Sequence, residues 1–133
     1  MTQSIIVQVG QCGNQIGCRF WDLALREYSA SNKSGIFDEA LSSFFRNVDS
    51  KSGREIPVGV GTEKIKGLRA RSILVDMEEG VVNDILTGPL KELFDVRQLV
   101  TDVSGWTMVL SFIKKVNRLL RLIYDYLLTT QSL

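Results

Sequence analysis

Apolar residues change their rhythm early in this chain. Ser4-Ile5-Ile6-Val7-Gln8-Val9 is β-branched and nearly continuous in apolar character, and Gly10 bounds it. A run of that kind suits a strand covered on both faces, as in a parallel sheet. Directly after it, Ile16, Phe20, Leu23, Ala24 and Tyr28 recur at helical spacing. The opening unit is therefore expected to be a strand, a glycine-rich turn over 10–17, and a helix.

Order is poorer from Ser29 to Gly67. Ser31-Asn32-Lys33-Ser34-Gly35 reads as a loop, and Arg46 to Gly61 carries charges, glycines and Pro57. Between them, Phe37 to Phe45 predicts a short helix or hook. A second strand is expected at Arg71 to Val75, ending in Asp76, followed by a helix over Val81 to Leu86 that stops near Gly88-Pro89. Leu90 to Phe94 suits one more turn, and Gln98 to Thr101 a third, short strand. Strands alternating with helices argue for a layered α/β fold. No internal repeat or low-complexity tract interrupts it.

The tail has the most regular pattern. Val109, Phe112, Ile113, Val116, Leu119, Leu120, Ile123 and Leu127 fall on one helical face, with Lys114, Arg118, Arg121 and Asp125 opposite. The basic residues Lys114, Lys115, Arg118 and Arg121 interrupt it too often for a membrane span, which needs ~20 mainly apolar residues. Such a helix either docks on a partner groove or acidic membrane surface, or covers the open edge of its own sheet. The second reading is preferred here.

Composition narrows the field. Hydrophobic residues at 44% and charged residues at 23% are globular values, and 133 residues suffice for one core. The net charge of +1 gives no reason to expect nucleic acid as a partner. His is absent, which removes the commonest general base and zinc ligand. Cys12 and Cys18 have no second pair to complete a metal site and read as reduced thiols. The short apolar stretch at the amino terminus lacks the basic flank of a signal peptide.

Two constellations carry candidate chemistry. Gly10-Gln11-Cys12-Gly13-Asn14-Gln15-Ile16-Gly17 stands between strand and helix, where glycines let the backbone approach a phosphate and the helix start offers free N–H groups. Its spacing is neither the dinucleotide fingerprint nor the Walker loop, so the glycines equally suit a tight turn and close helix–sheet packing. The second is Asp76-Met77-Glu78-Glu79-Gly80. Acids just past the carboxyl end of a strand can hold Mg²⁺ against phosphates, usually through water. They can equally cap the next helix.

The residues themselves point further. The octet at 10–17, after a short amino-terminal strand, resembles the tubulin family. Asp76 and Glu78 match the acids of that family's Asp-Leu-Glu-Pro-Gly motif, with Glu79 in place of the proline. Phe20 to Glu27, Ser43 to Asp49 and Asp76 to Leu86 look most like the epsilon branch. The resemblance covers residues 1–105 and fails after Ser104-Gly105, where Trp106-Thr107-Met108 replaces the family's Gly-Asn-Asn element. The family's main phosphate loop, Gly-Gly-Gly-Thr-Gly-Ser-Gly, has no counterpart.

What this implies is an incomplete Rossmann-like αβα nucleotide-binding domain of tubulin type over 1–105, with a divergent helical tail over 106–133. By resemblance, Gly10, Gln11 and Cys12 would approach the phosphates and guanine, and Gln15 the base and ribose. Asp76 and Glu78 would serve Mg²⁺, giving GTP and Mg as cofactors. Tubulins hydrolyse GTP on assembly, but the residues for that step are not found here. Expected partners are other tubulins, meaning delta-tubulin and the alpha/beta microtubule lattice, in the cytoplasm at centrosome, centriole and basal body; neither nucleic acid nor membrane is expected. Three readings compete: a GTP-binding cytoskeletal protein, a fragment that interacts without nucleotide, and a peptide docking through its tail.

Overall fold

The computed structural model describes residues 2–59 and 63–101 and, within the tail, 117, 118, 120–125 and 128. Strand β1 (Ile6–Val9) passes directly into helix α1 (Gly10–Ser31). No separate turn spans 10–17. Gly10, at φ +73°, reverses the chain in a single residue, a conformation that costs glycine little. Gly13 and Gly17 consequently lie inside the helix.

After α1, Asn32 accepts the Gly35 N–H on its side chain and donates to Ile36 O. Helix α2 (Glu39–Ser42) follows, capped by Asp38, whose carboxylate accepts from Leu41 N at 2.8 Å. The poorly ordered stretch of the sequence proves to be an antiparallel sheet. Strand β2 (Phe45–Val48) pairs on one side with β3 (Glu55–Ile56) and on the other with β4 (Leu68–Ala70). These strands are two to four residues long, too short for alternation to register. Buried Asn47 of β2 anchors the segment before β4, donating to Lys64 O and accepting from Lys66 N at 2.8 Å.

The main sheet is parallel, in the order β1-β5-β6, with β5 at Ser72–Asp76 and β6 at Leu99–Thr101. Helix α3 (Glu79–Thr87) and two 3-10 turns, Lys91–Leu93 and Val96–Gln98, connect β5 to β6. Gln98 ties this connection back, donating to both Ala70 O and Ser72 O at 2.7 Å.

The core lies between the sheet and the helices. Leu74 and Leu99 meet Trp21 of α1 and Val82 and Ile85 of α3, all buried; each such side chain stabilises the fold by ~1.5–3 kcal/mol. Trp21 also meets Phe45 edge-on at 5.3 Å, joining the two sheets. On the opposite face, Ile73 and Val100 are buried while Val7 and Val9 are exposed. Leu122 and Asp125 of the tail line a crevice with Ser72, Ile73 and Gln98. Leu120, expected on the apolar face, is exposed, while Ile123 is half-buried. The expectations for Trp106, Val109, Phe112, Ile113, Lys114, Lys115, Val116, Leu119 and Leu127, and for a boundary at 105/106, lie outside the described residues. Among the described residues no helix is long and apolar enough to cross a membrane.

Candidate functional site

Parallel pairing builds the site. Val9 and Val75 are register partners on β1 and β5, so Gly10 and Asp76 leave neighbouring strands at the same edge. Neighbouring strands run ~4.8 Å apart, which brings the start of α1 and the acid that ends β5 together. The carboxyl edge of a parallel sheet is where α/β folds take ligands.

Each side of that edge has an open valence. Helix α1 has no side-chain cap and no acid in its first turn, so its leading N–H groups and positive dipole end are available to an anion. Gln11 and Cys12 are exposed there. Across from them Asp76 is 6% exposed, and its two oxygens differ. Oδ1 accepts the Glu78 N–H at 3.0 Å, closing a local turn. Oδ2 is buried without a hydrogen-bond partner, an arrangement that a cation or an ordered water satisfies. Glu78 is exposed at the N-cap position of α3, with no capping bond from its side chain, and Glu79 occupies the first turn. The capping explanation thus accounts for Oδ1 and for Glu79, but for neither Oδ2 nor Glu78.

Gln15 is set apart from the other nominated residues. It is exposed one turn into α1 and lines a groove of about 730 Å³ with Arg19 and Asp22 of α1 and Val81, Asp84 and Pro89 from the α3 side. None of Gly10, Gln11, Cys12, Asp76 or Glu78 borders this groove. The groove therefore lies apart from the sheet edge at which the other nominated residues stand. Cys18, also on the groove, is half-buried, and burial pushes its thiol pKa up.

Sequence reasoning passed over a buried polar chain beneath the site. Asn14 is fully buried and donates from Nδ2 to Gly10 O at 2.8 Å and to Val75 O at 3.1 Å. Its Oδ1 accepts from Gln8 Nε2 at 3.4 Å, and Gln8 Oε1 accepts from Trp21 Nε1 at 2.7 Å. The available signal was a polar residue, Gln8, inside an otherwise apolar strand.

A parallel sheet with an uncapped helix start and an acid at one carboxyl edge is the α/β arrangement that takes ligands at that edge. The profile of the Tubulin/FtsZ family, GTPase domain, matches residues 3–108, and the chain belongs to that family. It is 64% identical over 108 residues to the tubulin epsilon chain of Homo sapiens, and 62% identical to that of Mus musculus. Identity to the tubulin beta chain of Enteroctopus dofleini is 30% over 110 residues. Each match covers 79% of this chain and 22% of the relative, so the chain spans about a fifth of the length of these relatives.

Proposed function

We propose that residues 1–105 supply the first two nucleotide loops of an epsilon-like tubulin GTP-binding domain, and that this chain alone binds GTP weakly or not at all. In this reading the N–H groups at Gly10, Gln11 and Cys12 face phosphate, and Gln15 lies toward the base and ribose. Asp76 and Glu78 would hold Mg²⁺, through water, and the ion would supply charge neutralisation for the phosphates when bound. Among the described residues no group of three or more carboxylate or thiol side chains could hold a metal. The remaining ligands of such an ion would be phosphate and water oxygens.

The observation that carries the reading is the pairing of the uncapped α1 start with the buried, unpartnered Asp76 Oδ2 across one strand register. Affinity is low because a nucleotide site gains strength from many convergent donors, each worth ~1.5–3 kcal/mol against a charged phosphate. Two loops make only part of that set. The partners are other tubulins, delta-tubulin and the alpha/beta lattice among them, and the place of action is the centrosome, centriole and basal body.

Calorimetric titration with GTP and Mg²⁺ should show no binding at micromolar concentration. Amide NMR shifts at Gly13 and Glu78 should appear at millimolar GTP and vanish in Asp76→Ala with Glu78→Ala. A micromolar dissociation constant overturns the weak affinity, and millimolar shifts that survive Asp76→Ala with Glu78→Ala overturn the assignment of these residues.

The second reading, a fragment that interacts without nucleotide, draws on exposed apolar residues. Val7 and Val9 on β1, and Ile16, Phe20 and Leu23 on α1, are all exposed. Among the described residues β1 pairs with β5 alone, and an open edge of that kind invites another chain.

A further inference from the structure

We propose that Asn14 is a positioning residue of this site, a side-chain staple that fixes the start of α1 against the carboxyl end of β5. The proposal rests on the nucleotide reading above for its purpose, while its geometry stands independently. One amide group spans two elements: a single Nδ2 donates to Gly10 O at 2.8 Å and to Val75 O at 3.1 Å, 61 residues away. Those carbonyls belong to the hinge glycine of one loop and to the residue preceding Asp76 in the other. Both protons of the amide are thus consumed in holding the two loops at one spacing.

The staple is held from below. Asn14 Oδ1 accepts from Gln8, whose own carbonyl oxygen accepts from the Trp21 indole, and all three residues are buried. This fixes which end of the Asn14 amide points upward, because an inverted amide would set its oxygen against two carbonyl oxygens. A buried polar network with every member paired rigidifies and selects one arrangement. Preorganised spacing matters here because loops that must be ordered by the ligand subtract that cost from affinity.

The wild-type chain provides the first test. Both Nδ2 protons of Asn14 should be protected from hydrogen exchange in NMR; one proton exchanging at the solvent rate overturns the staple. Variants provide the second. Asn14→Leu keeps the volume and removes the donors, so amides at 14–16 and at 76–80 should exchange faster together by about ten-fold, the factor one net hydrogen bond carries. Asn14→Ser can return a bond to Gly10 O, four residues back, but does not reach Val75 O. It should spare 14–16 and release 76–80. Equal protection of 76–80 in the Asn14→Ser variant and the native chain would overturn the proposal, as would unchanged exchange in Asn14→Leu. A role in packing alone predicts that Asn14→Leu is the milder change. None of these measurements requires nucleotide, so failure of the nucleotide reading leaves the staple to be judged separately.

Discussion

The side chain of Gln8 runs through the space that a Cβ at Gly17 would occupy: such an atom would stand 2.2 Å from Gln8 Cδ. Gln8 cannot swing aside freely, because it is 2% exposed and bonded to both Trp21 and Asn14. Gly17 is therefore a packing glycine inside a helix, and its presence lets a polar strand residue reach the core of α1.

Gly17→Ala should accordingly destabilise the chain despite the better helix propensity of alanine. Propensity favours the change by ~1 kcal/mol, and disrupting the buried Gln8 bonds costs ~1–3 kcal/mol per group left unsatisfied. A net loss of about 1–2 kcal/mol is expected in urea unfolding. Combining it with Gln8→Ala should give a double-mutant coupling well away from zero, since the two residues share one volume. An additive pair would contradict the argument.

The opening strand, the helix after Gly10, the strand ending in Asp76, the helix before Gly88 and the short strand at 99–101 were all legible from apolar runs and their glycine and proline bounds, although in α1 the buried positions are Asn14, Gly17 and Trp21 rather than Ile16, Phe20 and Leu23. The β2–β3–β4 sheet was not. Its strands are held by pairings between distant residues, and the segment before β4 by the side chain of Asn47, neither of which leaves a local pattern. Gly10 and Asp76 were nominated through residue type and resemblance, and the register of β1 with β5 places them at one sheet edge. The role of Asn14 was not legible, because it depends on Val75, 61 residues away. Gln15 was nominated by resemblance alone, and its place beside the α1–α3 groove follows from α1 beginning at Gly10, which carries residue 15 inside the helix.

Tyr28 gives the fold an alkaline limit. Its hydroxyl donates to Asp38, the residue that caps α2. Burial first, and then this bond, push the phenol pKa up to about 12. A raised pKa means the neutral form is favoured in the folded chain, so the contribution is full below the unfolded value of ~10 and disappears as pH climbs from there toward 12. Tyr28→Phe should cost about 1.5 kcal/mol at neutral pH, the low end for a hydrogen bond to a charged group because Tyr28 is only half-buried. It should also remove this part of the alkaline loss in stability. Tyrosinate absorbance during alkaline titration, native against Tyr28→Phe, measures it directly; a Tyr28 ionising at its ordinary value would refute the link to Asp38.

The two thiols should separate kinetically. Cys12 is exposed at the start of α1, whereas Cys18 is half-buried with a thiol pKa raised by desolvation. Thiolate is the reactive form, and burial also blocks access. Alkylation followed by mass spectrometry near neutral pH should modify Cys12 several-fold faster than Cys18. Comparable rates would mean that the α1–α3 groove opens readily, and that the packing of Cys18 described above is wrong.

The last prediction concerns the face of the sheet turned away from α1. Ile73 is 3% exposed, and Leu122 and Asp125 line a crevice beside it with Ser72 and Gln98. Burying an apolar side chain is worth ~1.5–3 kcal/mol when complete, so a half-buried Leu122 contributes about half as much. Leu122→Asp should lower the melting midpoint by a few degrees, the shift that ~1 kcal/mol produces in a chain of this size. Deleting 107–133 should lower solubility and broaden the melt. The competing idea is a lipid surface, drawn by Lys114, Lys115, Arg118 and Arg121. It requires the isolated tail peptide to gain helicity on anionic vesicles and to lose binding steeply with salt, because exposed charges are screened over ~8–10 Å at ordinary ionic strength. The expected outcome is an unstable truncation and weak vesicle binding. Full solubility of residues 1–106, together with strong, salt-sensitive binding by the peptide, would transfer the apolar face from the sheet to the membrane.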